Sequence, residues 1–469
     1  MNVRTLPRRR DVVAFGLVVG VATLLRAVWL GSPDRIVFDE SYYAQDACTY
    51  LRLGAEVCGG TREASWVHPP LGKWLVALGI WLGGYEPTAW RMPAVVAGIV
   101  GVAALFVLAR LLTGSLVAGV VAAGILATDP LSIISSRVAM LDIFVATAGV
   151  LAVLFAVLHR ARLDTSSAPL GLFPPWLAAA GFACGVAIAT KWSGVLVIAI
   201  VVVLLVGWDI QTRRESSSAP QSATATVAQL VVCLVLLPAT VYAASYAGVL
   251  EGRLLALPWE QDAWPRVFAG RQLRMATFHV GLDALHPYAS PAWSWPLGKR
   301  AVVYFFEIDP AGRFREILAF ANLPIWLPGA IFAVLASGWT IMRRRLRTAP
   351  FVIAVAVAGS YLPWLLLTLG RPFVFLHYVV PTIPFVALAL GWGIGRLPPR
   401  AKAAAAGGIM AVALTVVLYW GPVIYGLPIT YDQWRMRILF TDCGAGQTVD
   451  GRLQPIARPG PQPTGWCWV

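Results

Sequence analysis

Residues 90–129 read WRMPAVVAGIVGVAALFVLARLLTGSLVAGVVAAGILATD, and this stretch decides the fold of the chain. It contains two long apolar runs, the first of which has the roughly 20 residues that a helix needs to cross a bilayer. Similar runs recur along all 469 residues. Because the runs are continuous and do not alternate with polar residues, they predict membrane-spanning helices and not the strands of a barrel.

The composition supports an all-α polytopic membrane protein. Hydrophobic residues make up 58% of the chain and charged residues only 13%, whereas a soluble domain carries about 25% charged residues. The net charge is +14, but the basic residues cluster in short loops between apolar runs. That distribution follows the positive-inside rule, so we expect contact with membrane lipids and none with nucleic acid.

The apolar runs predict about eleven spans, whose ends are the least reliable part of the prediction. They lie near 11–30, 90–112, 115–129, 133–158, 176–190, 193–209, 227–247, 318–341, 351–369, 373–393 and 403–425. The basic start, Arg8 to Arg10, leads into the first run without a small-residue cleavage site, so we expect a retained anchor.

A cytoplasmic N-terminus places every short basic loop on the cytoplasmic side. Three long regions then face outward, namely 31–89, 248–317 and the tail 426–469, within a single membrane domain that covers 1–469. The low-complexity segment 216–226 is typical of a cytoplasmic linker.

The cysteines fit this topology. Cys48 and Cys58 lie in the first outer region, and Cys443 and Cys467 lie in the outer tail. Four outward cysteines can form disulfides in an oxidising compartment, with three possible connectivities. The remaining two, Cys184 and Cys233, lie within spans and are expected to be packing residues.

The predicted topology brings scattered polar residues to the outer interface. They are Asp39, Glu40, His68, Lys73, Arg91, Asp129, Arg137, Asp142, Lys191, His286, Arg371, His377 and Tyr378. Ionisable groups at membrane depth are costly and usually functional. Acids and bases gathered at one interface therefore predict an anionic ligand at the level of the lipid headgroups.

Asp39 and Glu40 are the candidates for a catalytic base. Neighbouring helical residues point about 100° apart, so both carboxylates cannot face one site squarely. We expect one to be catalytic and the other structural, and we favour Asp39 as the base. The alternative is that Asp39 only caps a helix running from about 40 to 53, which Gly54 ends.

The other polar residues also have structural alternatives. Arg137 and Asp142 could form an ion pair, although a spacing of five is poor for pairing along a helix. Lys191 and Arg371 could extend to the lipid headgroups, and His68 could shape the turn before two prolines.

The outer tryptophans and the histidines add weaker signals. The tryptophans Trp259, Trp264, Trp293 and Trp295 fit an interfacial aromatic belt, with sugar or peptide contact as the alternative. No paired histidines stand at metal-ligand spacing, and Asp39 with Asp142 is too sparse a set to argue for a bound cation. The sequence requires no cofactor, and the absence of a convincing phosphate-binding glycine loop argues against a nucleotide donor.

A series of short motifs carries a family resemblance. In order they are FDE (38–40), HPPLGKW (68–74), RMPAVVAG (91–98), SRVAMLDIF (136–144), TKWSG (190–194), HPYASPAWSWPL (286–297) and HYVVP (377–381). Each motif is weak by itself, but the ordered set resembles the protein O-mannosyltransferases, which are membrane glycosyltransferases of the GT-C type. The large outer loop has no room for the β-trefoil domain of eukaryotic members, so the chain resembles a bacterial form.

The resemblance implies a polyprenyl-phosphate-mannose donor and a Ser or Thr hydroxyl as acceptor. It assigns the catalytic base to Asp39, with Glu40 beside it. The expected donor-binding residues are Arg137, Asp142, Lys191, Arg371, His377 and Tyr378. The expected acceptor-binding or supporting residues are His68, Lys73, Arg91, His286, Trp293 and Trp295.

The chemistry of such a transfer matches these residue types. One carboxylate removes the proton of the acceptor hydroxyl, cations stabilise the departing phosphate, and a single base opposite the leaving group predicts inversion at the anomeric carbon. We expect the prenyl chain to lie in an apolar groove among the sixth to tenth spans. The acceptor would be an extended segment emerging from the secretion channel.

Two other functions stay open from the sequence. One is a GT-C enzyme that moves another sugar, such as aminoarabinose, to a lipid or glycan. The other is a lipid transporter, but that class usually has inverted repeats and broken helices in matched halves, which the sequence lacks.

Overall fold

The computed structural model describes residues 8–60, 64–165, 171–215, 223–247, 264–369, 373–443, 448–456 and 460–469. The α-helices are α1 (Arg9–Ala27), α2 (Glu40–Tyr50), α3 (Ala55–Cys58), α4 (Leu71–Gly83), α5 (Pro87–Thr113), α6 (Leu116–Thr128), α7 (Pro130–Arg137), α8 (Leu141–Leu163), α9 (Pro175–Thr190), α10 (Val195–Glu215), α11 (Ala223–Val231), α12 (Leu237–Ser245), α13 (Trp264–Gly281), α14 (Leu323–Arg343), α15 (Ala349–Leu367), α16 (Ile383–Gly395), α17 (Pro399–Tyr425) and α18 (Tyr431–Arg435). Short 3₁₀-helices span Trp192–Gly194, Ala292–Leu297 and Leu376–Thr382, and a π-helical turn, Val232–Leu236, joins α11 to α12. Two antiparallel hairpins consist of β1 (Val302–Ile308) with β2 (Phe314–Ala319) and β3 (Thr448–Val449) with β4 (Arg452–Leu453).

The expected multi-span membrane fold is confirmed, but the count of eleven spans is not. Across the described ranges, eight helical segments are long and apolar enough to cross a membrane, or nine if the bent pair α6–α7 is one span. The eight segments are Pro87–Thr113, Leu141–Leu163, Trp192–Glu215, Thr226–Ser245, Leu323–Arg343, Ala349–Leu367, Leu376–Gly395 and Pro399–Tyr425. The predicted span 318–341 starts too early, because its first two residues pair with β1 and the helix begins at Leu323. The linker residues 216–222 lie outside the described ranges.

Helix α8 lies at the centre of the bundle. It is apolar on every side and packs against α5, α9 and α10, while α16 packs against α6 and α14. An all-round apolar helix belongs in the interior of a bundle, and small residues on its neighbours allow the backbones to approach closely. The position of α8 matters because its first turn carries Asp142.

The break between α6 and α7 is held by charged side chains. Pro130 begins α7, where a missing N–H is tolerated, and the two axes meet at 57°. The side chain of Asp129 accepts a hydrogen bond from the Ser132 N–H at 2.9 Å, which caps α7. The fully buried Arg26 donates to the last carbonyls of α6 at 2.9 and 3.0 Å. These bonds satisfy backbone groups that an apolar interior would otherwise leave unpaired.

Two disulfides select one of the three connectivities left open by the sequence. Cys48 pairs with Cys58, which joins α2 to α3, and Cys443 pairs with Cys467 in the tail. Cys184 and Cys233 are buried free thiols, as expected of packing residues.

Candidate functional site

The turn before α2 positions Asp39. Phe38 has φ +49°, in the left-handed region, so the chain reverses sharply into the helix. Asp39 occupies the N-cap position of α2, yet its side chain makes no capping hydrogen bond. Its Oδ2 accepts a hydrogen bond from the Tyr43 hydroxyl at 3.2 Å. The capping alternative therefore does not explain the residue.

The environment of Asp39 suits a general base. Burial raises the pKa of the half-buried Asp39 to about 6. The charge of Lys191 opposes that rise, the charge of Asp142 adds to it, and the hydrogen bond from Tyr43 lowers the pKa. A base works best when its pKa lies near the working pH, and perturbed carboxyl groups of this kind cluster at functional sites.

Glu40 differs from its neighbour because its carboxylate is fully engaged. It is completely buried and accepts hydrogen bonds from Arg91 Nε at 2.8 Å and Arg91 Nη2 at 3.0 Å. It also accepts from the N–H groups of Val37 at 2.9 Å and Ala139 at 3.2 Å. Arg91 gives its other donors to backbone carbonyls of the loop after α1. Glu40 and Arg91 thus fix the Asp39 loop to α5 and to the connection that precedes Asp142.

A buried ion pair lies beside Asp39. Lys191 Nζ lies 2.9 and 3.0 Å from the two carboxylate oxygens of Asp142 and 4.3 Å from the centre of the Tyr378 ring. Lys191 sits in the tight turn after α9, which needs Gly194, because a Cβ there would lie 2.2 Å from the Ala187 carbonyl carbon. Because Lys191 pairs with Asp142 of α8, the alternative that it only extends to the lipid headgroups does not explain its position.

Arg137 contacts other residues of the chain around the end of α1. It donates to the carbonyls of Arg26 and Trp29, each at 2.9 Å, and to that of Val28. Its guanidinium lies 4.5 Å from the centre of the Tyr425 ring. Arg137 therefore satisfies backbone carbonyls at the C-terminal end of α1 and does not pair with Asp142. Donor contact by Arg137 stays a prediction, and the geometry favours a positioning role.

Aromatic rings wall the space beside Asp39. Phe38 stacks on Tyr304 with 4.2 Å between ring centres, and both rings lie within 6 Å of His377. His377 stacks on Phe375 at 5.4 Å and meets Tyr378 edge-on at 4.9 Å. Tyr304 was not predicted, because no local motif marks a tyrosine in an outer hairpin as a neighbour of the first outer loop.

The predicted supporting residues in the first outer region divide into two groups. The His68 ring lies 6.2 Å from that of Tyr43 and stacks on His279 of α13 at 5.8 Å, so it borders the site. His279 was not predicted, because nothing in the sequence indicates where α13 lies. Lys73 is buried and pairs with Asp46 at 2.9 Å, which joins α4 to α2 away from the site.

The remaining predicted residues either pack against the aromatic rings of the site or lie apart from them. His286 packs edge-on against Phe375 at 5.0 Å. Trp295 is buried and donates to a backbone carbonyl, whereas Trp293 is exposed. Arg371, Trp259 and the side chain of Trp264 lie outside the described residues.

An apolar cavity of about 290 Å³ opens between α14, α15 and the segment that leads into α16. Its lining includes Tyr361, Val379 and Ile383, and Val379 follows the site residues His377 and Tyr378 directly. In the part of the chain that the structure describes, no group of three or more His, Cys, Asp or Glu side chains could hold a metal ion.

Two family models match consecutive parts of the chain. The model described as dolichyl-phosphate-mannose-protein mannosyltransferase matches residues 89–248, and that of the C-terminal four-helix membrane region of protein-O-mannosyltransferase matches residues 265–442. The chain is 29% identical to the polyprenol-phosphate-mannose–protein mannosyltransferase of Mycobacterium tuberculosis over 92% of both chains.

Solved structures share the fold. The S. cerevisiae protein O-mannosyltransferase Pmt1-Pmt2 complex bound to the sugar donor matches with a TM-score of 0.76 and 15% identity over 92% of both chains. ArnT from Cupriavidus metallidurans bound to undecaprenyl phosphate matches with a TM-score of 0.55 and 19% identity, over 87% of this chain and 64% of ArnT. Both likenesses concern the fold alone. From the matched family models and the mycobacterial relative, we conclude that the chain belongs to the protein O-mannosyltransferase family.

Proposed function

We propose that this protein transfers mannose from a polyprenyl-phosphate-mannose lipid to Ser or Thr hydroxyls of proteins, with inversion at the anomeric carbon. The observation that carries the proposal is the half-buried Asp39 carboxylate beside the Asp142–Lys191 pair, next to an apolar cavity. The relatives from Mycobacterium tuberculosis and Corynebacterium glutamicum are polyprenol-phosphate-mannose–protein mannosyltransferases, which supports this donor and this class of acceptor.

The residues divide the reaction between them. Asp39 Oδ1 takes the proton of the acceptor hydroxyl while the hydroxyl oxygen attacks the anomeric carbon. The bond from that carbon to the phosphate oxygen breaks, and the polyprenyl phosphate leaves with the electron pair. Lys191 has three N–H donors and gives two to Asp142, so the third can stabilise the charge that develops on the phosphate.

The lipid part of the donor fits the apolar cavity between α14, α15 and α16. A prenyl chain is purely hydrocarbon, and the lining is almost entirely apolar. Because Val379 lies two residues from His377, a chain in this cavity would hold its phosphate beside the site. This placement agrees with the expected groove among the later predicted spans.

We place the site on the outer face of the plasma membrane. Helix α8 has Asp142 in its first turn, and Arg160 pairs with Asp164 at its end. Its 23 residues cover about 35 Å, enough to separate the two groups by a bilayer core. An acceptor still extended during export could reach the site, whereas a Ser or Thr inside a folded protein could not.

A transfer assay tests the proposal. The purified protein receives labelled polyprenyl-phosphate-mannose and a Ser/Thr-rich peptide. We expect wild-type transfer, and a loss of at least about 10²-fold in Asp39→Asn, because the amide cannot take the proton. Asp34→Asn, at an exposed acid in the same loop, is the matched control and should retain activity.

Each component of the proposal can fail separately. Wild-type-like turnover by Asp39→Asn would remove Asp39 from the role of base. Transfer only from polyprenyl-phosphate-aminoarabinose, or only to a lipid acceptor, would favour the other GT-C chemistry. Analysis of the anomeric configuration of the product tests inversion.

A further inference from the structure

The β1–β2 hairpin contains a bulge at a single residue. Val303 pairs with Leu318 and Phe305 pairs with Ile317, so Tyr304 has no partner across the hairpin. A bulge of this kind redirects the side chain of the extra residue, and such bulges are frequent next to active sites. The bulge here turns Tyr304 from the hairpin toward the residues around Asp39.

Tyr304 is built into the wall of the site. Its ring is 4% exposed and stacks parallel to Phe38, with 7° between the ring planes. Phe38 directly precedes the proposed base. The Tyr304 ring also lies edge-on to that of His377, with 5.9 Å between ring centres.

Two buried polar atoms in this wall have no hydrogen-bond partner. They are the Tyr304 Oη and the His377 Nδ1, on residues that are 4% and 3% exposed. Buried polar atoms are nearly always paired, because burial without a partner is unfavourable. By contrast, Tyr288, a buried tyrosine just before the hairpin, donates to the Ile456 carbonyl at 3.1 Å. Both orphan atoms lie on rings packed around Phe38, next to Asp39, where a bound ligand can supply their partners.

We propose that Tyr304 is a specificity-determining residue that hydrogen-bonds a hydroxyl group of the donor's sugar, with His377 Nδ1 as a second sugar contact. The proposal deepens the function proposed above and rests on it. A tyrosine hydroxyl can both donate and accept, as a sugar hydroxyl can, whereas the anionic phosphate is matched by the Lys191 ammonium.

Tyr304→Phe tests this role, because it removes the hydroxyl and keeps the ring that stacks on Phe38. We expect kcat/KM for the mannosyl donor to fall by roughly tenfold, the usual effect of one lost neutral hydrogen bond. We expect the Kd of polyprenyl phosphate, the product without the sugar, to stay within about twofold of wild type. The Tm without ligand should not fall, since the variant loses an unpaired buried hydroxyl.

Tyr288→Phe is the matched control. It removes a buried tyrosine hydroxyl that already has a partner within the chain, so we expect a lower Tm with little change in the preference for donor over polyprenyl phosphate. Equal weakening of donor and polyprenyl phosphate in Tyr304→Phe would assign Tyr304 to the phosphate or to the fold. Unchanged donor kinetics would also overturn the proposal.

Donors that lack one hydroxyl of the mannose identify the contact. We expect wild type and Tyr304→Phe to use one of the monodeoxy donors equally well. That donor lacks the sugar hydroxyl that Tyr304 binds, so neither protein can form the hydrogen bond. If every deoxy donor preserves the tenfold difference, Tyr304 does not bind a sugar hydroxyl. Absence of mannose transfer by the wild type would refute the proposed function instead, while the binding comparison would still test Tyr304.

Discussion

Asp39 and Glu40 show how surroundings separate two adjacent carboxylates. Glu40 is saturated by Arg91 and by two backbone N–H groups, whereas Asp39 holds one hydrogen bond from Tyr43. A saturated carboxylate has no lone pair positioned for a substrate proton. The half-buried Asp39 carboxylate keeps one oxygen without a hydrogen bond from the chain, so we propose Asp39 as the base and Glu40 as a structural residue.

The raised pKa of Asp39 predicts the pH dependence of transfer. Because the base must be deprotonated, kcat/KM should be constant above pH 7 and should fall as the pH drops through the pKa of about 6. Tyr43→Phe removes a hydrogen bond that lowers this pKa, so its acid limb should lie at higher pH. The measurement is kcat/KM from pH 5 to 8.5 for both proteins, and an unshifted acid limb in Tyr43→Phe would show that the Tyr43 hydrogen bond does not lower the pKa of Asp39.

Glu40→Gln should damage the fold, unlike Asp39→Asn. Removal of one partner of a buried ion pair leaves the other charge uncompensated, which costs about 3–5 kcal/mol, and Arg91 is almost completely buried. We expect a clearly lower Tm for Glu40→Gln and a Tm near wild type for Asp39→Asn. Equal Tm values for the two variants would show that the Glu40–Arg91 pair does not hold the loop.

At this scale the sequence predicts positions along the chain better than contacts between distant residues. The angle between neighbouring helical residues was enough to assign Asp39 and Glu40 different roles. Tyr304 was not predicted, because it reaches the site only through a bulge in a hairpin that is distant in the sequence. Lys191 could be placed at the interface by topology, but its pairing with Asp142 depends on how α8 and α9 pack.

Among the elements, the β1–β2 hairpin is held in place by side-chain contacts with α18. Glu316 in β2 is buried and accepts a hydrogen bond from Trp434 Nε1 at 2.6 Å. The Trp434 ring also packs against Phe314, with 5.1 Å between ring centres. α18 thus supports the hairpin that carries Tyr304.

Glu316 makes the stability of this region depend on pH. Burial raises its pKa from the ordinary value of about 4.5 to about 8, against the opposing effect of Trp434. Between these values the folded state binds the proton more tightly than the unfolded state does, so stability should fall as the pH rises from 5 through 8. The Tm of wild type should therefore drop more than that of Glu316→Gln between pH 6 and pH 8.5, and identical drops would contradict this assignment.

The sequence predicted the helical elements more securely than the irregular ones. Apolar runs long enough to span a bilayer have one stable outcome in lipid, so each predicted span overlaps a helix, although the ends and the number of spans differ from the prediction. The break at 138–140, which divides the predicted span 133–158 into α7 and α8, and the hairpin at 302–319 were not predicted. Both involve distant partners, namely Glu40, which accepts from the Ala139 N–H, and Trp434, which donates to Glu316.

In the whole molecule, ion pairs lie at both ends of the central helix α8. The Asp142–Lys191 pair lies at one end of α8, while the opposite end carries Asp164, which pairs with Arg160 and Arg347. A lipid-linked donor has its phosphate at one interface and its hydrocarbon in the bilayer. All catalytic groups must therefore lie at one end of the bundle, with the apolar cavity extending from there toward its middle.

Cysteine labelling of intact cells tests this sidedness. Asp34 and Ala311 are exposed near the proposed site, in the first loop and at the hairpin turn, and Arg345 is exposed between α14 and α15 at the other end. A membrane-impermeant maleimide should label Asp34→Cys and Ala311→Cys in intact cells, and Arg345→Cys only after permeabilisation. The native cysteines should react little, since four are in disulfides and two are buried thiols. Labelling of Asp34→Cys and Ala311→Cys from opposite sides would separate Asp39 from Tyr304, and no common site could then exist.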